Sequence, residues 1–139
     1  MMIVPLDRFQ EPVYAAMRIV VGLLFMMNGA QKLFGSFGGE AVAIASMPGA
    51  AGVIEFVGGL LVMFGLLTGI AAFIASGEMA FAYFIVHFPQ GGWPIQNGGQ
   101  LSVLFCFIFL FIAARGPGIL SLDSVFFARS SPRIRVAGA

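Results

Sequence analysis

The chain has 139 residues, of which 60% are hydrophobic and only 9% charged, with a formal net charge of +1. Soluble domains carry about 25% charged residues, so this composition excludes an ordinary water-soluble globule and reads as an integral membrane protein. One cysteine (Cys106) and one histidine (His87) exclude an internal disulfide framework, a dithiol redox centre and a multi-histidine metal or haem site within the chain. No basic run interleaved with aromatics is present, which argues against a nucleic-acid partner.

Four apolar segments follow in order. The first covers residues 13–34, after Pro12. It is too long for a signal peptide and lacks a small-x-small cleavage site, so it reads as a retained helix. The second covers 49–67, after Pro48, and the third 69–88, with Thr68-Gly69 as the turn between them. A connection this short makes spans two and three an antiparallel hairpin. The glycines and prolines of residues 89–99 predict a loop. The fourth span, 98–114, is short for a bilayer and stops at Gly116-Pro117-Gly118. Ser121 is placed as the N-cap of a short helix whose Leu122, Val125 and Phe126 predict an interfacial position. Residues 130–139 read as a disordered basic tail. The expected architecture is an all-α, polytopic membrane four-helix bundle forming a single domain, 1–139.

Orientation follows from the Lys and Arg near helix ends. Arg8 and Arg18 lie on the N-terminal side, and Arg115, Arg129, Arg133 and Arg135 on the C-terminal side. The opposite side holds only Lys32 at the end of span one. Both termini are therefore expected in the cytoplasm.

In that frame the polar residues gather in the outer half. At 1.5 Å per residue, Asn28 and Glu55 lie roughly 9 Å inside the outer end of their spans and Glu78 roughly 15 Å. Lys32, His87, Asn97 and Gln100 lie at or near the outer rim. On span one Arg18, Gly22, Phe25, Gly29 and Lys32 fall on one helical stripe. Gly58-Gly59 on span two are residues that let helices approach. A charge facing lipid costs about 2.5–3.5 kcal/mol even on the lenient insertion scale, so Glu55 and Glu78 are expected to face inward. There they can share Lys32, Asn28, Tyr83 or water. Arg18 is read as a snorkelling anchor on the cytoplasmic side or a partner for a neighbouring helix. Trp93 is read as an interfacial anchor and Cys106 as an inert buried thiol.

These residues resemble the DoxX family over nearly the whole chain, roughly 16–123. Arg18 to Gly22, then Asn28 to Gly35 with Lys32, resemble its first-helix signature. Glu55 with Gly58-Gly59, Glu78-Met79-Ala80, Asn97 to Leu101, Gly116-Pro117-Gly118 and Ser121 to Asp123 are similar to its later segments. Two positions depart from the family's usual form. Asn28 stands where His is frequent and Gln100 where Glu is frequent, and each change removes a titratable group. The resemblance implies a four-helix inner-membrane protein, in some relatives tied to quinone-dependent sulfur oxidation or to membrane oxidoreductase complexes.

Three functions compete at this stage. In the first, the chain is a membrane subunit of a redox or quinone-linked complex. A quinone head group would bind Lys32, Asn28 and His87, and Glu55 or Glu78 would relay a proton. No covalent cofactor or self-contained catalytic motif is present, so electrons would come from an oxidoreductase partner or a substrate. In the second, the cluster of Asn28, Lys32, Glu55, Glu78, His87, Asn97 and Gln100 binds or transports a lipid or small molecule, which for four short spans implies a homo-oligomer. In the third, the polar residues only fix helix register within the lipid bilayer.

Overall fold

The computed structural model describes residues 5–127. The expected tail at 130–139, and Arg129, Arg133 and Arg135, lie outside the described residues. Within them the chain is helical and contains no strand. After a single 3-10 turn at Asp7–Phe9, helix α1 runs Gln10–Phe34 and α2 Met47–Phe64. Helix α3 runs Thr68–Ala82 and continues through a π-helical turn, Tyr83–His87, and a 3-10 turn, Phe88–Gln90. A single turn, α4 (Pro94–Asn97), precedes α5 (Gln100–Arg115), and α6 (Leu122–Phe126) ends the described chain. Three segments, Asp7–Phe34, Met47–Phe64 and Thr68–Gln90, are long and apolar enough to cross a membrane; α5 is a shorter apolar helix.

Local chemistry explains the helix limits. Ser46 caps α2, its Oγ accepting from Gly49 N at 3.1 Å, with Pro48 in the first turn. Gly65 ends α2 at φ 69°, a left-handed conformation natural to glycine. The turn between α2 and α3 is therefore Gly65 to Leu67, and Thr68-Gly69, expected as the turn, already belongs to α3. The reason is a cap from far along the chain. Asp123 Oδ1 accepts from Leu67 N at 2.8 Å, and Oδ2 accepts from Thr68 N at 2.9 Å and from Thr68 Oγ1 at 2.8 Å. In return Asp123 N donates to Gly65 O at 2.8 Å. These bonds also hold Leu67 at φ 49°, a left-handed geometry that costs a side-chain-bearing residue about 1–2 kcal/mol.

Helices α1 and α2 pack backbone to backbone. A Cβ built on Gly59 would stand 2.7 Å from Gly22 O, and one on Gly29 would stand 2.6 Å from Gly52 O. Two glycine pairs, each seven residues apart on its own helix, thus form the seam. Gly58, its neighbour in the sequence, meets nothing nearer than the Phe25 ring at 3.8 Å. Beside this seam, Phe25 packs edge-on to Phe109 at 4.6 Å between centroids and against Phe105 at 5.5 Å. Val62, Ala72, Ala75 and Ile112 complete the core.

The end of the bundle that holds the two ends of the described chain is tied by polar contacts. Arg18 is fully buried. It does not snorkel: its guanidinium donates to Val62 O (3.1 Å), Ile119 O (3.0 Å), Leu120 O (2.6 Å) and Pro117 O. Tyr14 Oη donates to Gly116 O at 2.6 Å, and Arg115 pairs with Glu11. Ser121 caps α6 as expected, its Oγ accepting from Ser124 N at 3.2 Å.

Asp123 carries a pH signature. Burial pushes its carboxyl up, but the bonds from Thr68 and Leu67 and the nearby Arg18 charge outweigh that and hold it below the usual carboxylate range. A depressed native pKa contributes stability above the unfolded value of about 3.9, and that contribution is lost as pH falls through the native pKa. Thermal unfolding in detergent across an acid series is expected to show this decline in the native protein. Asp123→Asn should start about 1 kcal/mol less stable, as for a lost helix cap, and show a shallower acid slope.

Candidate polar pocket

The opposite end of the bundle holds a cavity of about 250 Å³. The C-terminal part of α1 supplies Asn28 and Lys32, α2 supplies Glu55, and α3 with its π turn supplies Met79, Ala82, Val86 and His87. Gly98, Leu101, Ser102 and Phe105 close it from α5 and its approach. Polar side chains (Asn28, Lys32, Glu55, His87, Ser102) and apolar ones share the wall about equally, so the site offers an orienting polar set beside apolar surface.

Lys32 Nζ donates to Glu55 Oε1 at 2.7 Å. The Glu55 side chain is 2% exposed and that of Lys32 35%. The pair follows from helix geometry: the Gly29–Gly52 contact draws the two backbones together one turn away, so the long lysine side chain spans the remaining gap. Glu55 Oε2 is buried and has no hydrogen-bond partner among the described residues, and the same holds for Glu78 Oε2. Glu78 feels the charges of both Glu55 and Lys32, although it is not part of the cavity wall.

The π turn at Tyr83–His87 shifts the end of α3 by one backbone register, a distortion frequent at functional sites. It brings His87 Nδ1 to 3.2 Å from Asn97 O. A carbonyl only accepts, so this contact places the proton of a neutral ring on Nδ1 and leaves Nε2 as its acceptor.

Besides Glu78, two of the expected site residues lie outside the cavity wall. Asn97 is buried, yet its side chain staples the loop: it donates to Gly91 O at 2.9 Å and to Tyr83 Oη at 3.3 Å, and accepts from Gly99 N at 2.8 Å. Tyr83 is thereby engaged by Asn97, not by a glutamate. Gln100 is exposed and outside the cavity wall, because α5 starts there with its side chain turned outward. Ser102, Met79 and Phe105 line the cavity without having been singled out in the sequence; as uncharged residues on apolar helices they carry no local signal. Trp93 is exposed. Cys106, expected as a buried thiol, is half-buried, and its carbonyl accepts from Ser76 Oγ at 2.7 Å. Among the described residues no group of three or more His, Cys, Asp or Glu could hold a metal ion.

The sequence matches the DoxX family model over residues 13–88. An uncharacterised protein of Haemophilus influenzae is 39% identical over 131 residues, covering 89% of this chain and 98% of its own length. The inner membrane protein YqjF of Escherichia coli is 31% identical over 113 residues, 76% of this chain and 85% of its own. CatD of Bacillus subtilis, which carries a provisional oxidoreductase name, is 26% identical over 116 residues, 80% of this chain and 84% of its own. No solved structure matches the chain. With its apolar helical bundle and this match over more than half its length, the chain is a membrane protein and belongs to the DoxX family.

Proposed function

We propose that the chain is an inner-membrane subunit of a quinone-linked redox complex, and that the polar pocket holds the quinone head group. The observation that carries this reading is a cavity of mixed polar and apolar lining with an ion pair in its wall, the Glu55 carboxylate buried and Lys32 partly exposed. The donor set suits the group. Lys32 has two ammonium protons beyond the one given to Glu55, and the Asn28 amide adds two more, all complementary to ring carbonyls. Leu101, Phe105 and Met79 match the ring's apolar faces. When bound, a quinone supplies two-electron chemistry. The chain's own part is to bind and orient the ring and to keep a carboxylate beside it. The oxidoreductase name of CatD agrees with this reading, as does the inner-membrane name of YqjF for the location. Both termini on the cytoplasmic side, and an oxidoreductase partner as electron source, complete the proposal.

The test is binding of a short-chain quinone to protein extracted in mild detergent, followed by calorimetry. Lys32→Met should weaken binding by about tenfold or more, the worth of one charged hydrogen bond. Absence of quinone binding together with absence of a co-purifying oxidoreductase would overturn the proposal. A purely structural role is the second reading, favoured by the fact that Lys32–Glu55 joins α1 to α2. It predicts that Lys32→Met changes unfolding and leaves quinone binding untouched.

A further inference from the structure

Resting on the quinone reading of the pocket, we propose that the site is built for the reduced partner of the couple, and that Glu55 selects a hydroxyl-bearing quinol over the quinone. The argument begins with Glu55 Oε2. This atom is buried in a residue 1% exposed, belongs to a side chain in the cavity wall, and has no donor among the described residues. Its sister oxygen already takes the Lys32 proton at 2.7 Å. A buried acceptor left without a donor costs about 1–3 kcal/mol, more when it is charged, so a ligand donor that the carboxylate turns toward the cavity to meet recovers that amount.

His87 adds a second acceptor. With Nδ1 donating to the Asn97 carbonyl, a neutral ring keeps Nε2 as an acceptor, and His87 is among the residues that line the cavity. The wall thus combines donors, at Lys32 and Asn28, with acceptors, at Glu55 and His87. Quinone oxygens only accept. Against Glu55 Oε2 a carbonyl would set oxygen against oxygen and leave both unpaired. A quinol hydroxyl donates to the carboxylate while its own lone pairs remain open to Lys32. The oxidised ring can use half of the polar wall and the reduced ring all of it.

The experiment compares duroquinol with duroquinone, single-ring probes without a tail, titrated anaerobically into the detergent-solubilised full chain and followed by calorimetry. Duroquinol is expected to bind at least tenfold more tightly. For a two-electron couple that ratio places the bound potential about 30 mV above that of the free couple. Glu55→Gln should bring the ratio close to one, chiefly by weakening the quinol. Equal binding of the two forms, or tighter binding of duroquinone, overturns the inference and leaves the quinone reading standing. Binding of neither removes both. The wild-type comparison needs no folded variant. A preference that survives in a folded Glu55→Gln protein overturns the assignment to Glu55.

Discussion

Gly59→Ala is expected to destabilise the protein by about 3 kcal/mol, the upper end of overpacking costs. The added methyl group would stand 2.7 Å from Gly22 O and from Met26 Cα, atoms of the α1 backbone that cannot rotate away. The helices must separate, and the Gly29–Gly52 contact one heptad along must open with them. Two glycines serve as controls. Gly58→Ala meets only ordinary contact with Phe25, and Gly77→Ala meets nothing within 4 Å. Both should be neutral or gain up to about 1 kcal/mol from the better helix former. Gly22→Ala combined with Gly59→Ala should cost less than the sum of the two, because helices already parted by one methyl group accommodate the other. Unfolding in a detergent titration, read against wild type, checks the whole set. A Gly59→Ala protein as stable as Gly58→Ala would refute the close seam.

The second large effect belongs to Arg18. Its guanidinium serves four carbonyls, of which those of Pro117, Ile119 and Leu120 lie 99 to 102 residues away in sequence. Arg18→Met keeps much of the side chain's bulk and removes every donor, leaving those carbonyls unpaired at a cost of about 3–5 kcal/mol. Arg18→Lys should recover only a fraction, because one ammonium cannot reach oxygens spread around a planar fork. The readout is again unfolding in detergent, with limited proteolysis of the segment after α5 as a local probe. In Arg18→Met that segment should be cut first. An unchanged cleavage pattern would show that the arginine is dispensable there.

What was legible in the sequence divides along the range of the interactions. Apolar runs and helical phase depend on neighbours within a few turns. They placed the four apolar helices within a few residues, the α1 stripe from Arg18 to Lys32, and the inward-facing Glu55. The i, i+7 spacing of Gly52 and Gly59, matching that of Gly22 and Gly29, was present in the sequence too. The Gly58-Gly59 doublet masks it, because only Gly59 of the two meets the α1 backbone. Distant partners were not legible. Thr68-Gly69 has the composition of a turn, and only the Asp123 carboxylate, 55 residues on, makes Thr68 the start of a helix. Arg18 near a membrane edge has the pattern of a snorkelling side chain until the carbonyls of residues 117–120 are brought against it. Asn97 and Gln100 fell at the right depth for the pocket, yet depth along an axis does not specify direction. The loop consumes the Asn97 amide, and the first turn of α5 points Gln100 away.

The cap that Asp123 places on α3 has a consequence for biosynthesis. Chains emerge from the ribosome N-terminus first, so α1, α2 and α3 are all made before the residue that closes the α2–α3 turn exists. Until then the Leu67 and Thr68 amides have no carboxylate, and the Arg18 donors lack the carbonyls of residues 117–120. These contacts can form only once the segment after α5 has been made.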